Sequence, residues 1–162
     1  GTGSGCIAIT LSLNMANTVV TAYDISSDAL LIARDNAIRL GAAVNFQLKD
    51  ALQLTATEET FDIIVSNPPY ICDSERTEMM RNVLEYEPLT ALFVPDDDPL
   101  RFYRSIAEYG TTALSHGGEL YFEINARFAN EVSAMLNALG YDEIEARNDQ
   151  FGKQRFVKAI RP

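Results

Sequence analysis

The residues best suited to chemistry are the tetrapeptide Asn67-Pro68-Pro69-Tyr70, which follows the apolar run 61–66. Such a run is typical of a buried parallel strand, and two prolines end it because they cannot donate ladder hydrogen bonds. The pattern therefore predicts a stiff turn at the carboxyl end of a strand, where open α/β sheets bind their ligands. An Asn side-chain carbonyl, a proline carbonyl and a Tyr ring could together bind a planar NH2 group, which needs two acceptors and an aromatic surface. The alternative is an ordinary strand that ends in a proline-rich turn.

The glycines at the start of the chain predict a turn that a ligand can approach closely. The segment Gly1-Thr2-Gly3-Ser4-Gly5 precedes an apolar-rich stretch, and glycine leaves the backbone open because it has no Cβ. Two further segments, 19–23 and 44–49, have strand patterns and are followed by Asp24 and Asp50. An acid at the end of the second strand can accept hydrogen bonds from ribose hydroxyls, although either aspartate can instead cap the turn that follows it.

This order of motifs resembles the class I S-adenosylmethionine-dependent methyltransferases. The tetrapeptide is similar to that of the enzymes in this class that methylate planar amino or amide nitrogens. The segment Glu87-Pro88-Leu89-Thr90-Ala91-Leu92 narrows the resemblance to the HemK/PrmC family, the protein glutamine N5-methyltransferases that act on peptide-chain release factors. Because DNA adenine and RNA guanine methyltransferases share the tetrapeptide, a nucleic-acid amino-methyltransferase stays an alternative, as does a glutamine methyltransferase of a ribosomal protein.

The resemblance implies methyl transfer from S-adenosylmethionine to a glutamine side-chain amide in the Gly-Gly-Gln loop of a release factor. It implies that glycines of the turn line the methionine and ribose, that Asp24 holds the ribose hydroxyls and that Asp50 accepts from the adenine amine. Ile25 and Leu52 would lie against the adenine, unless they pack in the core instead. The implied catalytic residues are Asn67, Pro68, Pro69 and Tyr70, and the implied substrate-binding residues are Asn67, Pro68, Tyr70 and Glu87. The implied cofactor-binding residues are Gly1, Thr2, Gly3, Gly5, Asp24, Ile25, Asp50, Ala51 and Asn67.

The implied fold is α/β: a Rossmann-like class I methyltransferase sheet with helices on both faces and a C-terminal antiparallel hairpin. Family members have a first strand before the glycine turn and a helical substrate domain farther upstream. We therefore expect residues 1–162 to be one truncated catalytic domain without either. The strands that end at Asp24 and at Asn67 then lack a ladder partner on one edge. Asn125 stands where many relatives would have Gly.

Apolar periodicity and turn residues predict alternating helices and strands. Residues 26–28 offer N-cap chemistry for the second helix, and Gly41 is predicted to end it. Residues 117–118 are predicted to form a turn before the strand that begins at residue 119. The face of the second helix formed by Leu30, Ala33, Ala37 and Leu40 is predicted to be core. The long connection 71–98 is typical of a lid or a binding segment. The predicted helices are 5–15, 29–40, 75–84, 100–115 and 128–138, and the predicted strands are 19–23, 44–48, 61–66, 119–124, 142–147 and 155–160, the last two joined by a short turn.

Composition narrows the classes of partner. The 162 residues are 47% hydrophobic, which predicts one globular domain. The sequence contains no run of 18 apolar residues, so it predicts no membrane-spanning helix. The formal net charge of −10 argues against a nucleic-acid partner and fits a protein substrate better. Cys6 and Cys72 lack metal-ligand spacing, and His116 is the only histidine, so we expect reduced thiols in a cytoplasmic protein and no metal site. The acidic run 96–98 is predicted to be a solvated loop rather than a metal site.

Overall fold

The structure is a computed structural model, and it describes residues 1–56, 59–78 and 88–162. Its contacts divide the chain into two compact units, Gly1–Leu54 (unit 1) and Thr55–Pro162 (unit 2). The predicted glycine turn, Asp24 and Asp50 all belong to unit 1, whereas the tetrapeptide belongs to unit 2.

Unit 1 contains two helices and a two-stranded parallel sheet. Val20 pairs with Val44 and Asp24 pairs with Leu48, so the two strands end at the same edge of the sheet. The second helix is capped by Ser26, whose Oγ accepts from the Ala29 amide at 3.2 Å. The elements are helix α1 (Cys6–Asn14), strand β1 (Val20–Asp24), helix α2 (Ser27–Leu40) and strand β2 (Val44–Leu48).

Most of the predicted core face of α2 is confirmed. Leu30, Ala33 and Ala37 are at most 5% exposed. The prediction for Leu40 is wrong, because its side chain is 61% exposed. Leu40 is the last helical residue, and the chain then turns at Gly41, which ends the helix in the left-handed region as predicted (φ +72°).

Unit 2 is built on a mixed four-stranded sheet. Its strands lie in the order β3 (Phe61–Ser66), β6 (Leu114–Glu123), β8 (Gln154–Ile160) and β7 (Asp142–Asn148). β3 and β6 are parallel, and Ser66 at the end of β3 pairs with Phe122 near the end of β6. β8 is antiparallel to both of its neighbours, which confirms the predicted hairpin. The main elements are β3 (Phe61–Ser66), helix α3 (Arg101–Ala113), β6 (Leu114–Glu123), helix α4 (Ala129–Ala138), β7 (Asp142–Asn148) and β8 (Gln154–Ile160).

Two short strands in the connection after β3 were not predicted. β4 (Ile71–Cys72) pairs in parallel with β5 (Phe93–Val94), and the Ile71 amide donates to the Leu92 carbonyl at 3.0 Å. A 3-10 helix, Asp73–Glu78, occupies the start of the predicted helix 75–84, and the remainder of that prediction lies outside the described residues.

β6 begins five residues earlier than predicted. The pairing shifts from Phe61–Leu114 to Ile63–Glu119, so the predicted turn at residues 117–118 is a bulge within the strand. This bulge lies at the amino end of β6, and the carboxyl end keeps a regular register with β3. The irregularity therefore leaves the strand ends that carry polar side chains aligned.

The core of unit 2 lies where α3 and α4 pack against the sheet. The Tyr103 and Phe122 rings meet edge to face, with centroids 5.2 Å apart, and both side chains are at most 1% exposed. The Tyr141 hydroxyl, also buried, donates to the Ala107 carbonyl of α3 at 2.8 Å. These contacts anchor α3 behind the carboxyl end of β6.

Within the described ranges, β1 pairs with β2 alone and β3 pairs with β6 alone. No helix in the part of the chain that the structure describes is long and apolar enough to span a membrane.

Candidate active site

In unit 1, the glycine turn and Asp24 are connected by hydrogen bonds. Asp24 is only 6% exposed, and its carboxylate oxygens accept from the Gly3 amide and the Ser26 amide, both at 2.8 Å. The Thr2 amide donates to the Tyr23 carbonyl at 2.9 Å, which ties the start of the turn to the end of β1. A carboxylate has about four acceptor positions, so about two stay available for further donors.

The turn requires glycine at two positions for different reasons. Gly3 and Gly5 both have left-handed backbones, with φ of +55° and +83°. A Cβ on Gly5 would lie 3.1 Å from both Ala33 Cβ and Ile9 Cδ1, so this glycine lets α1 and α2 pack closely. A Cβ on Gly3 would meet no atom within 4 Å, so the backbone there borders open space.

The end of β2 carries the second predicted acid. Asp50 Oδ1 accepts from the Leu52 amide at 2.8 Å, and its Oδ2 accepts from Gln53 Nε2 at 2.9 Å. This is the turn-capping arrangement that the sequence left open as an alternative, and it still leaves acceptor positions on both oxygens. Ala51 and Leu52 are half-buried, whereas Ile25, directly after Asp24, is 64% exposed.

In unit 2, the tetrapeptide directly follows β3. Asn67 is exposed and Pro68 is buried, while Pro69 and Tyr70 are half-buried. A cavity of about 100 Å³ lies here, lined by Asn67, Pro68, Pro69, Tyr70, Ile71, Ala91 and Leu92. The last two belong to the second sequence motif, 87–92, so the pairing of β4 with β5 brings the two motifs to one cavity.

Tyr70 is held by residues at the end of β6 that sequence reasoning did not identify. Its hydroxyl donates to Glu123 Oε1 at 3.0 Å, and Asn125 Nδ2 donates to its backbone carbonyl at 3.2 Å. Burial, with a smaller effect of the Glu123 charge, raises the pKa of Tyr70 to about 12. In the sequence, both are polar residues at the end of an apolar strand, and Asn125 also stands where many relatives would have Gly.

Other polar candidates are separate from this cavity or outside the described residues. Cys72 is buried, and burial raises the pKa of its thiol, so it is a poor nucleophile. Glu87, a predicted substrate-binding residue, lies outside the described residues. Within the described ranges, no group of three or more His, Cys, Asp or Glu side chains could hold a metal ion.

Comparisons with known proteins bear on both the fold and the motifs. The family described as "Methyltransferase small domain" matches residues 1–87. The chain is 50% identical over 99% of its length to a protein of Bacteroides thetaiotaomicron named "Release factor glutamine methyltransferase". It is 46% identical over 98% of its length to a protein of the same name from Flavobacterium psychrophilum. The chain spans 58% and 55% of the lengths of these two relatives.

Among solved structures, the crystal structure of a methyltransferase from Pyrococcus furiosus superposes with a TM-score of 0.71 at 20% identity. The match covers 99% of this chain and 72% of the other. This similarity confirms the predicted class I methyltransferase-like α/β fold. The two curated relatives confirm the resemblance that the tetrapeptide and the 87–92 motif indicated. The roles predicted for individual site residues stay predictions.

Proposed function

This chain belongs to the methyltransferase small domain family, and from that premise we propose that it methylates the side-chain amide nitrogen of a glutamine in a peptide-chain release factor. The proposed methyl donor is S-adenosylmethionine, and the proposed acceptor is the glutamine of a Gly-Gly-Gln loop. The names of the curated relatives support this substrate. Since translation termination is cytoplasmic, the proposal assigns the reaction to the cytoplasm.

The observation that carries the proposal is the cavity at the tetrapeptide. Its walls combine an exposed amide side chain, Asn67, with a half-buried aromatic ring, Tyr70, and the aliphatic side chain of Leu92. A glutamine side chain has the complementary chemistry, since a planar amide follows two methylene groups. Polar acceptors can bind the amide, and Leu92 can contact the methylenes.

An amide nitrogen is a weak nucleophile because its lone pair is delocalised into the carbonyl. We assign Asn67 Oδ1 and the Pro68 carbonyl as acceptors for the two amide hydrogens, which would orient the nitrogen for in-line attack and stabilise positive charge developing on it. The two prolines fix the backbone that carries both acceptors. Tyr70 would stack on one face of the amide.

Tyr70 supplies its ring rather than a proton acceptor. With a pKa raised to about 12, its phenol stays protonated near neutral pH and donates to Glu123. The proposal needs no strong general base if the proton leaves the nitrogen after methyl transfer. His116, the only histidine of the sequence, is exposed in the bulge of β6 and has no assigned role.

Unit 1 has hydrogen-bond acceptors that suit the donors of an adenosine-containing ligand. Asp24 has acceptor positions left for ribose hydroxyls, Gly3 leaves the adjacent backbone open, and Ile25 exposes an apolar surface beside them. We therefore assign Gly1, Thr2, Gly3, Gly5, Asp24, Ile25, Asp50 and Ala51, all in unit 1, to S-adenosylmethionine. When bound, this group supplies a methyl on a sulfonium that is itself the leaving group.

The charge of the chain supports a protein acceptor over a nucleic acid. A formal net charge of −10 would repel a phosphate backbone, whose contacts dominate nucleic-acid affinity. The Gly-Gly-Gln loop of a protein presents no such charge. No structural observation favours the nucleic-acid alternative.

The test is methyl transfer to a purified release factor, located on the protein by mass spectrometry. We expect one methyl group on the loop glutamine and none when that glutamine is replaced by glutamate. Asn67→Ala should reduce kcat by roughly 100- to 1,000-fold, the effect of losing one preorganised transition-state contact. Its dissociation constant for S-adenosylmethionine should stay near that of the wild type.

The matched control is Asn130→Ala, an exposed asparagine on α4 in the same unit, which should leave turnover unchanged. Methylation of the glutamate-substituted release factor would argue against the glutamine assignment. Cofactor affinity that falls in step with turnover in Asn67→Ala would argue against its role as an acceptor for the substrate amide.

A further inference from the structure

Two polar residues at the carboxyl end of β6, Glu123 and Asn125, lie against the turn that carries Tyr70. Ser66 of β3 pairs with Phe122 of β6, so the residues that follow each strand emerge at the same edge of the sheet. Glu123 follows Phe122 directly, and Asn125 is the N-cap of the 3-10 helix Ala126–Phe128 after the strand. Neither residue lines the cavity.

Glu123 fixes the phenol end of Tyr70. Its Oε1 accepts the Tyr70 hydroxyl at 3.0 Å, and both groups are partly buried. The backbone carbonyl of Glu123 in turn accepts the hydroxyl of Tyr103, a buried residue of α3, at 3.2 Å. The strand end that presents the carboxylate is therefore attached to the core of unit 2.

Asn125 fixes the backbone end of the same tyrosine. Its Nδ2 donates both to the Tyr70 carbonyl at 3.2 Å and to Glu75 Oε2 at 3.1 Å. Glu75 Oε2 also accepts the Cys72 amide at 2.9 Å. The Arg127 amide donates to Asn125 Oδ1 at 3.1 Å, which orients the Asn125 side chain.

A tyrosine bonded at its hydroxyl and at its carbonyl is restricted in both ring rotation and backbone movement. If the Tyr70 ring covers one face of the acceptor amide, an orientation fixed in advance lowers the entropic cost of binding and aligns the nitrogen for attack. We propose that Glu123 and Asn125 are positioning residues, the Tyr70 clamp, which set the ring orientation for the acceptor. This inference rests on the proposed function for its catalytic consequence.

The test compares substitutions at both ends of the Glu123–Tyr70 hydrogen bond. Tyr70→Phe keeps the ring and removes the donor, whereas Glu123→Leu removes the acceptor at similar size. Each should lower kcat/KM for the release factor by about 10-fold, the worth of one hydrogen bond to a charged group, and the double variant should lose no more than either single one. Glu123→Gln, whose amide oxygen can still accept, should recover most of the loss. The dissociation constant for S-adenosylmethionine should not change in any of them.

Asn125→Ala tests the other end of the clamp. It should lower kcat/KM by about 2- to 10-fold, the range of one neutral hydrogen bond. The control is Glu119→Leu, because Glu119 lies on β6 two positions before Tyr121 and binds Lys158 and Tyr121 rather than Tyr70. Its kcat/KM should equal that of the wild type.

A second readout does not depend on the substrate. Nuclear magnetic resonance of labelled tyrosine should show slow flipping of the Tyr70 ring in the wild type and in Glu119→Leu. Flipping should be faster in Glu123→Leu and Asn125→Ala. An unchanged ring-flip rate in both clamp variants, or losses in kcat/KM that add in the double variant, would overturn the clamp. If the wild type does not methylate release factors but shows the expected flip rates, the proposed function is overturned. The catalytic role of the clamp then fails with it, while the restraint of the Tyr70 ring stands.

Discussion

Replacing Asp24 by asparagine tests the hydrogen bonds between Asp24, at the end of β1, and the glycine turn. The carboxylate accepts the Gly3 and Ser26 amides, both at 2.8 Å, and the residue is 6% exposed. An asparagine has a single acceptor oxygen, so its NH2 group would face one of these two donors. Losing one hydrogen bond to a charged group costs about 1.5–3 kcal/mol, which is the expected decrease in the free energy of unfolding.

The same substitution should weaken binding of S-adenosylmethionine. A ribose hydroxyl would lose a charged acceptor, and a loss of about 1.5–3 kcal/mol corresponds to a dissociation constant roughly 10- to 150-fold higher. Isothermal titration calorimetry measures this constant, and urea denaturation measures stability on the same sample. Because unfolding and binding report on different bonds of one carboxylate, the two losses should both appear.

Asp28→Asn is the control. Asp28 is an exposed acid in the first turn of α2, and its only expected contribution is about 0.3–1 kcal/mol with the helix dipole. Its affinity for S-adenosylmethionine should equal that of the wild type. A wild-type dissociation constant in Asp24→Asn would refute the ligand role of Asp24. Wild-type stability would refute the view that its carboxylate holds the glycine turn.

Three further predictions concern the glycines and the buried tyrosines. Gly3→Ala and Gly41→Ala place a Cβ in open space at positive φ and should each cost about 1–2 kcal/mol by urea denaturation, but calorimetry should show weaker S-adenosylmethionine binding only in Gly3→Ala. Gly110→Ala would put a Cβ 2.3 Å from the Tyr141 hydroxyl and should lower the free energy of unfolding by about 1–3 kcal/mol. This loss should be smaller in a Tyr141→Phe background. Equal losses in the two backgrounds would contradict the packing argument. Burial raises the pKa of Tyr70 and Tyr141 to about 12. The contribution of both phenols to the free energy of unfolding should therefore be complete below pH 10 and lost as the pH rises to 12. Ultraviolet titration that shows both ionised near pH 10 would disprove this.

The sequence was sufficient for elements whose local pattern agrees with their environment. The N-cap within residues 26–28, the stop at Gly41 and the bounds of the strand 61–66 were predicted because each depends on neighbouring residues. The hairpin of β7 and β8 was predicted for the same reason. The prediction that the strand 61–66 is buried was wrong, because its residues are half-buried or exposed. Where the apolar periodicity of a segment matches its secondary structure, tertiary contacts change the predicted element little.

The errors and omissions arise from contacts between distant residues. β4 and β5 contain two residues each, too few for a period of two to be visible, and they form because Ile71 meets Phe93. The amino end of β6 was interpreted as a turn because Gly117 and Gly118 are strong turn formers, yet pairing with β3 keeps them within a bulged strand.

The candidate site also contains some residues that local sequence patterns reveal and others that only contacts between distant residues reveal. The tetrapeptide and the acids at strand ends are visible in sequence because glycine, proline and aspartate have specific local roles. Glu123 and Asn125 became candidates only through hydrogen bonds to Tyr70, more than 50 positions away along the chain. Polar residues at a strand end are common, and only the fold selects the pair that contacts the cavity residue.

The pairing of β4 with β5 also bears on how this surface can diverge. The pair holds Ala91 and Leu92 at the cavity through a contact of two residues on each strand, with Cys72 and Val94 at most 2% exposed. The free-energy cost of closing a connection rises only logarithmically with its length, by about 0.6 kcal/mol for each doubling. Insertions and deletions between the two strands are therefore thermodynamically inexpensive. Evolution can therefore change the length of the chain between β4 and β5 while the cavity lined by the tetrapeptide keeps its walls.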